Sequence, residues 1–272
     1  LRELGDRIQR ITDQSTGTWG ISLYDLDTNE TWEMNEHHLF YAASVIKVPI
    51  MIAAFAANKR GEFILSDTVE LKRENIVGGS GVLQHLTPGT QFTIYDLLTL
   101  MIIQSDNTAT NMMIELVGVP SIQQTMKDIG LEKSKFYHKM MTMDVDREGM
   151  NEITASEMAG MLRKLATGKI ISVHACEQMI AIMKQQQITN CLPGKVPPTT
   201  ETTIGSLKEW EIANKTGNVS GIRHDIGIFY VGKRKLIASV LTSGLDDIQS
   251  PDILSKVGLE IYQYLKQSLH KR

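Results

Sequence analysis

The sequence predicts a mixed α/β (α+β) fold: an antiparallel sheet formed from both chain ends and flanked by helices, with an all-helical region inserted between them. Three observations carry this. Short alternating, β-rich segments lie near the N-terminus. From about Ala43 to Met183 the texture is helical throughout. After the Pro-rich stretch Leu192–Pro198, three further β-rich segments follow in succession, and the first strands most economically join them in one sheet. Residues 1–42 and 194–272 are accordingly assigned to a discontinuous α/β region, and residues 43–193 to the helical region.

The elements follow in order. Leu1 to about Ile11 reads as an amphipathic helix with Leu4, Ile8 and Ile11 on one face. Thr18–Asp27 alternates as a strand, Thr28-Asn29 makes a turn, and Thr31–Met34 is the return strand of a hairpin. Ser44–Asn58 is a strongly apolar helix. Pro49 is tolerable only in or near a first turn, which places the helix start close to Ser44. Thr93–Gln104 is helical, with Thr93 and Asp96 spaced like a capping box. Ala109–Val117, Ser121–Ile129, Thr154–Leu165 and Val173–Gln185 complete the helical set. Trp210–Asn214, Ile222–Val231 and Leu236–Ser243 are three consecutive strands, the last two joined by a Gly232-Lys233 turn. Pro251 opens a closing helix through about Leu269.

Composition excludes several functions. A net charge of −3 with no basic cluster argues against a nucleic-acid surface. No apolar run approaches the roughly 20 residues of a membrane span. The chain opens at Leu1 rather than Met, which is compatible with a trimmed export segment. Without HExxH, CxxC or a histidine cluster, neither a metal nor a cofactor is expected. Cys176 lies in an apolar helical pattern and reads as a buried free thiol; no spacing rule fixes whether it pairs with Cys191. His224 and His85 are read as surface or supporting residues, and the Gly78–Gly81 run lacks what a phosphate loop requires.

Three short motifs carry the chemistry: Ser44-Val45-Ile46-Lys47, Ser105-Asp106-Asn107 and Lys215-Thr216-Gly217. The first pattern alone is weak. About one S-x-x-K is expected by chance in a chain this long, and Ser268–Lys271 is a second instance. The trio in this order is the signature of class A β-lactamases and penicillin-binding proteins. On a helix, residues i and i+3 share a face, so Ser44 meets Lys47. A serine hydroxyl needs a base beside it. Lysine can serve where burial and a neighbouring positive charge, here Lys215, destabilise its ammonium. Ser105-Asp106-Asn107 sits at a helix–helix corner, where capping alone would also favour these residues. Ser105 can pass a proton to a leaving amine, and Asn107 can hold a substrate carbonyl. Lys215-Thr216-Gly217 is expected to end the strand Trp210–Asn214, before a turn at Gly217-Asn218. There its edge can pair with an extended substrate and Gly217 lets backbone approach. The backbone N–H groups of Ser44 and Asn218 are candidates for an oxyanion hole.

The chain resembles the class A β-lactamase and small penicillin-binding protein family from about Gly17 to the C-terminal helix, most specifically over Leu100–Asn111. That resemblance implies a class A β-lactamase-like fold with the site in the cleft between the two regions. It makes Ser44 the acylated serine, Lys47 its base and Ser105 the proton relay. Asn107 would hold the substrate amide, and Lys215 and Thr216 its carboxylate, helped by Arg223. The implied substrate is a small molecule, a β-lactam or a D-alanyl-D-alanine peptide. An exported, monomeric protein is expected. The chain also departs from the family. Counted without gaps from Gly130, the R-x-E-x-x-x-N loop motif reads His138, Lys139, Met140 and finally Asp144, so the glutamate that activates the deacylating water is absent. Asp144 is the candidate substitute, with Asp146 and Glu148 as alternatives. The aromatic residue usual at the cleft entrance is also missing, Gly78-Gly79 standing near that place. A β-lactamase with slow deacylation is the leading expectation. A D-alanyl-D-alanine carboxypeptidase and a β-lactam sensor or binding module are the alternatives.

Overall fold

A computed structural model of the chain describes residues 1–141, 149–199 and 208–269. In chain order the elements are α1 (Arg2–Thr12), β1 (Thr18–Asp25), β2 (Thr31–Met34), β3 (Phe40–Tyr41), α2 (Lys47–Lys59), β4 (Thr68–Glu70), β5 (Gln91–Thr93), α3 (Ile94–Ile103), α4 (Asn107–Val117) and α5 (Val119–Asp128). There follow β6 (Glu152–Ile153), α6 (Ala155–Ala166), α7 (Val173–Lys184), β7 (Trp210–Val219), β8 (Ile222–Val231), β9 (Arg234–Ser243) and α8 (Ser250–Leu269).

The main sheet has five strands in the order β2-β1-β9-β8-β7, all neighbours antiparallel. It joins the N-terminal hairpin to the C-terminal meander, with Ile21 opposite Val240 in the central register. Because side chains alternate across a strand, the sheet feeds two cores. On one face Leu23, Phe229, Leu236 and Val240 pack with Leu4 and Ile8 of α1 and Leu254, Val257 and Ile261 of α8. On the other, Ile226, Ile228, Ile237 and Leu241 pack against the helical segment, with Met158 and Leu162 of α6.

Threonine hydroxyls cap two helix starts, the first of them as the sequence announces. Thr93 Oγ1 accepts the Asp96 N–H at 3.0 Å, and Thr154 Oγ1 accepts that of Glu157 at 3.3 Å. Such caps contribute about 1 kcal/mol each. Between β2 and the meander the described residues are mainly helical, with two short ladders that their composition does not announce. β3 pairs with β6, placing Tyr41 opposite Glu152, and β4 pairs with β5. Strands of two or three residues are too short for alternation to show.

Two corrections concern the C-terminal strands and a histidine. β7 does not stop at Asn214. It pairs with β8 through Val219, so Lys215-Thr216-Gly217 lies inside the strand and the turn is at Ser220-Gly221. The Gly217-Asn218 pair suggested a turn, but Gly217 serves close packing instead. His224 is fully buried rather than at the surface. Its Nδ1 accepts the Thr242 N–H at 3.0 Å, so its Nε2–H donates to the Tyr41 carbonyl at 2.8 Å. Cys176 and Cys191 are both free and buried.

Candidate active site

Ser44 lies in one 3-10 turn, Ala43–Ile46, that runs directly into α2. In such a turn residues i and i+3 eclipse one another, which aligns Ser44 with Lys47. Ala43 holds φ at 43°, a left-handed value uncommon for a residue with a side chain, and bends the backbone just ahead of Ser44. The turn is rooted by α2, ten of whose 13 residues are buried. A helix apolar on every side belongs in the core, and each large aliphatic side chain buried there contributes about 1.5–3 kcal/mol. Pro49 is the third residue of α2, where its missing N–H costs nothing. Ser44 itself is half-buried and open to the site.

Lys47 Nζ, fully buried, donates to the Ser105 carbonyl at 2.7 Å, to Ser105 Oγ at 3.1 Å and to Asn107 Oδ1 at 2.8 Å. Lys215 Nζ reaches the same Ser105 Oγ at 3.1 Å and the Thr216 carbonyl at 2.8 Å. One hydroxyl therefore bridges two amines. Ser105 sits at φ 53°, at the α3–α4 corner, where Asp106 caps α4 through the Ala109 N–H at 2.9 Å. The other oxygen of Asp106 accepts the N–H groups of Val82 and Leu83 at 2.6 and 2.8 Å. Gly81, at φ 103°, makes that approach possible, since a Cβ there would lie 2.3 Å from the Asp106 carboxyl. The glycine run thus serves the S-D-N corner, and Asn107 Nδ2 donates to the Gly78 carbonyl at 3.1 Å.

β7 is one of the sheet's two edge strands and lies against the Ser44 turn. A Cβ on Gly217 would stand 3.2 Å from Val45 Cγ2 and 3.3 Å from Ala43 Cβ. Only glycine leaves that gap without displacing the turn. Two cavities meet at Ser44. One, of about 160 Å³, is lined by Ser105, Thr216, Asn218, Arg223, Ile188 and Asn190 together with Ser44 and Ser80. The other, of about 290 Å³, is lined by Ser44, Ser80, Asn107 and Asn218 and walled by Tyr41, His138, Lys139, Met140 and Met141. Arg223, opposite Asn218 on β8, donates through Nε to Ser250 Oγ at 3.3 Å.

The wall at 137–140 is held by two asparagine side chains. Asn111 donates to the Met140 carbonyl at 3.0 Å and accepts its N–H at 2.8 Å. Asn151 accepts the Tyr137 N–H at 2.8 Å and donates to the His138 carbonyl at 3.2 Å, while its own carbonyl accepts the Ala42 N–H at 2.8 Å. Among the described residues, no carboxylate lines either cavity. Asp144, Asp146 and Glu148 lie outside the described residues. Ser80, which lines both cavities, carried no motif; Asn111 and Asn151 act through backbone contacts that no spacing reveals.

Burial pushes Lys47 well below the usual lysine range, helped by the charge of Lys215 and opposed by Asp106. Burial likewise lowers Lys215 to about 7, against the pull of Asp225 and then Cys191. A lysine freed of its proton near neutrality can act as a base.

These features, a serine ahead of a buried lysine and a second lysine sharing the Ser105 hydroxyl with it, agree with the family comparison. The model of the "Beta-lactamase enzyme family" matches residues 3–265. The chain belongs to the β-lactamase enzyme family. It is a serine β-lactamase-like hydrolase with a class A β-lactamase-like fold. It is similar to a β-lactamase of Rhodobacter capsulatus, 26% identical over 250 residues, covering 90% of this chain and 82% of that protein. Among solved structures, a β-lactamase of Sphaerobacter thermophilus superposes with a TM-score of 0.88 at 28% identity, covering 97% of each chain. A protein named PBP-A gives 0.84 at 26% identity, covering 98% of this chain and 97% of that one. A PBP-A variant solved as its acyl-enzyme with penicillin G gives 0.82 at 26% identity, with the same coverage.

Proposed function

We propose that this β-lactamase-family hydrolase opens β-lactams through a covalent acyl-enzyme on Ser44, and that the acyl-enzyme is hydrolysed slowly. The observation that carries the first half is the Ser105 hydroxyl, 3.1 Å from both Lys47 Nζ and Lys215 Nζ. Neutral Lys47 takes the proton of Ser44 as Oγ attacks the lactam carbonyl. The N–H groups of Ser44 and Asn218 receive the developing oxyanion, at the N-terminal end of α2, where the helix dipole favours negative charge. As the C–N bond breaks, Ser105 gives its proton to the leaving nitrogen and recovers one from Lys47. Asn107 holds the acyl amide; Lys215, Thr216 and Arg223 hold the substrate carboxylate. Base and relay contribute about 10²–10⁴-fold each in such sites. The cleft lies between the α/β region, residues 1–42 and 194–272, and the helical region, residues 43–193.

Met140 carries the second half. It lines the cavity in front of Ser44, where the family count places the water-activating glutamate, and a thioether cannot take a proton from water. Residual hydrolysis is assigned to Asp144. A PBP-A variant solved as its acyl-enzyme complex with penicillin G is a related chain that forms such an adduct. The same observation favours a D-alanyl-D-alanine carboxypeptidase as the second reading. We read the protein as exported and monomeric; no helix among the described residues is long and apolar enough to cross a membrane. Labelling with a fluorescent penicillin tests the nucleophile. Ser44→Ala abolishes labelling and Ser268→Ala leaves it intact; labelling that survives Ser44→Ala places the nucleophile elsewhere.

A further inference from the structure

One face of α4 carries three polar residues at four-residue spacing, Asn107, Asn111 and Glu115. Asn107 accepts from Lys47, and Asn111 clamps the backbone of Met140. Glu115 belongs to no motif and lines neither cavity. Its Oε2 accepts from Lys139 Nζ at 3.2 Å and from Asn75 Nδ2 at 2.9 Å, and Lys72 Nζ stands 3.8 Å from Oε1. Asn75 is buried, and its Oδ1 accepts the Lys72 N–H at 3.1 Å, so the Glu115 carboxylate meets a fixed donor as well as two lysines.

Lys139, unlike Glu115, lines the larger cavity, and among the described residues that do so it is the only lysine, arginine or carboxylate. Its backbone is held on both sides, by Asn151 at the His138 carbonyl and by Asn111 at Met140. Its own carbonyl accepts from His138 Nδ1 at 2.8 Å. Only the side chain of Lys139 is left to vary in direction, and the bond to Glu115 turns its ammonium onto α4.

We propose that Glu115 is a positioning residue that determines specificity: by holding the Lys139 ammonium on α4, it keeps free positive charge out of the larger cavity and reserves that cavity for uncharged acyl side chains. This rests on the reading of Ser44 as the acylated serine.

The acyl side chain belongs in the larger cavity because of what lines each one. Asn107, the residue read as holding the acyl amide, lines only the larger; Thr216 and Arg223, read as holding the carboxylate, line only the smaller. The remaining lining of the larger cavity suits an apolar group. Tyr41, Ala43, Met140, Met141 and Val219 contribute to it, and methionines adapt to irregular shapes. A side-chain carboxylate entering there would give up water without meeting a free cation, and burying an unpaired charge is unfavourable. A lysine on its flexible four-carbon stem could supply that cation if nothing engaged it. Glu115 does engage it, and is the only carboxylate within ion-pair distance of Lys139 among the described residues. The hydrogen bond from Lys139 holds the Glu115 carboxyl below its ordinary range, against a smaller opposing effect of burial, so the pair stays ionised at neutral pH. Lys72 lines neither cavity and cannot take the place of Lys139.

The experiment measures second-order acylation rates of the full chain with benzylpenicillin and with the same penicillin carrying a second carboxylate on the carbon that bears the phenyl ring. Both keep the ring carboxylate, so its capture by Lys215, Thr216 and Arg223 cancels in the ratio of the two rates. The wild type should be acylated about tenfold faster by the uncharged side chain, the effect of leaving one charge unpaired. Equal rates overturn the proposal without any variant having to fold. Glu115→Gln keeps an acceptor for Asn75 and removes the charge. It should raise the relative rate of the dianionic penicillin about fivefold, the worth of an exposed ion pair. Adding Lys139→Met should abolish that gain. A wall that had merely loosened would slow both penicillins alike. An unchanged ratio in Glu115→Gln, or a gain that persists without the Lys139 amine, therefore overturns the proposal. Failure of the underlying reading is seen separately: if neither penicillin acylates Ser44 in the wild type, the acyl-enzyme does not form, and the role of Glu115 falls with it.

Discussion

The side of Ser44 facing α4 and β7 and the side facing residues 137–141 are fixed by different kinds of contact. On the first, Lys47, Ser105, Asn107 and Lys215 form one hydrogen-bonded network of side chains, with Asp106 held behind it. On the second, Asn111 and Asn151 clamp backbone, and the side chains they present to the cavity are His138, Lys139 and Met140. A network of side chains cannot lose a member without leaving buried polar groups unpaired. A wall held by its backbone can exchange a side chain while keeping its position. In the proposed mechanism the first side therefore serves acylation, and the second leaves the fate of the acyl-enzyme to one residue.

Substitutions on the two sides should accordingly fail in different ways. The largest effect is expected from Lys47→Ala, which slows single-turnover acylation by about a thousandfold, within the range of general-base losses. The fold should survive at reduced stability: alanine favours the helix, while the Ser105 and Asn107 acceptors lose their donor. Acylation at the wild-type rate would remove Lys47 from its role. Met140→Glu should speed deacylation by about a hundredfold while leaving acylation nearly unchanged, since the clamp from Asn111 acts on backbone. Stopped-flow acylation and adduct lifetime distinguish the two steps; an unchanged lifetime would mean that the wall does not point a side chain at the ester. Lys215→Ala should weaken capture of a carboxylate-bearing penicillin by about tenfold or more relative to its methyl ester, the worth of a charge-assisted hydrogen bond. The smallest effect is expected from Asp144→Asn, which lowers an already slow steady-state hydrolysis, with Asp146→Asn and Glu148→Gln as controls. Turnover unaffected by all three assigns the residual base elsewhere.

The pH dependence sharpens the same contrast. Lys47 must be unprotonated to act as base, and its pKa is lowered chiefly by burial, so acylation should rise as pH increases through a range below that of ordinary lysines. Lys215 must be protonated to hold a carboxylate, so capture should fall above about pH 7. Uncharged substrates should show the rise without the fall. A shared alkaline fall-off for both substrate types would contradict the division of labour between the lysines.

The side-chain network was legible in the sequence because its members come in short, ordered motifs on elements whose period can be read. Ser44 and Lys47 needed only helical spacing, and Ser105-Asp106-Asn107 only a corner between two apolar runs. What escaped is of another kind. The continuation of β7 through Val219 was hidden by Gly217-Asn218, which reads as a turn in isolation, whereas the glycine is there to admit the Ser44 turn. The two-residue pairing of β3 with β6 is too short for alternation to be seen. Asn111 and Asn151 act by a side chain meeting distant backbone, across 29 and 13 residues respectively, and no local pattern announces such contacts. Periodicity predicts what an element buries; it does not predict which element a polar side chain will meet.

The central claim, fast acylation at Ser44 followed by slow release, is tested most directly by time-resolved mass spectrometry of the intact protein mixed with penicillin. The expected result is a single penicilloyl adduct that forms quickly, is absent from Ser44→Ala, and persists far longer on the wild type than on Met140→Glu. No adduct at any time, or a wild-type adduct that vanishes as fast as it forms, would contradict it.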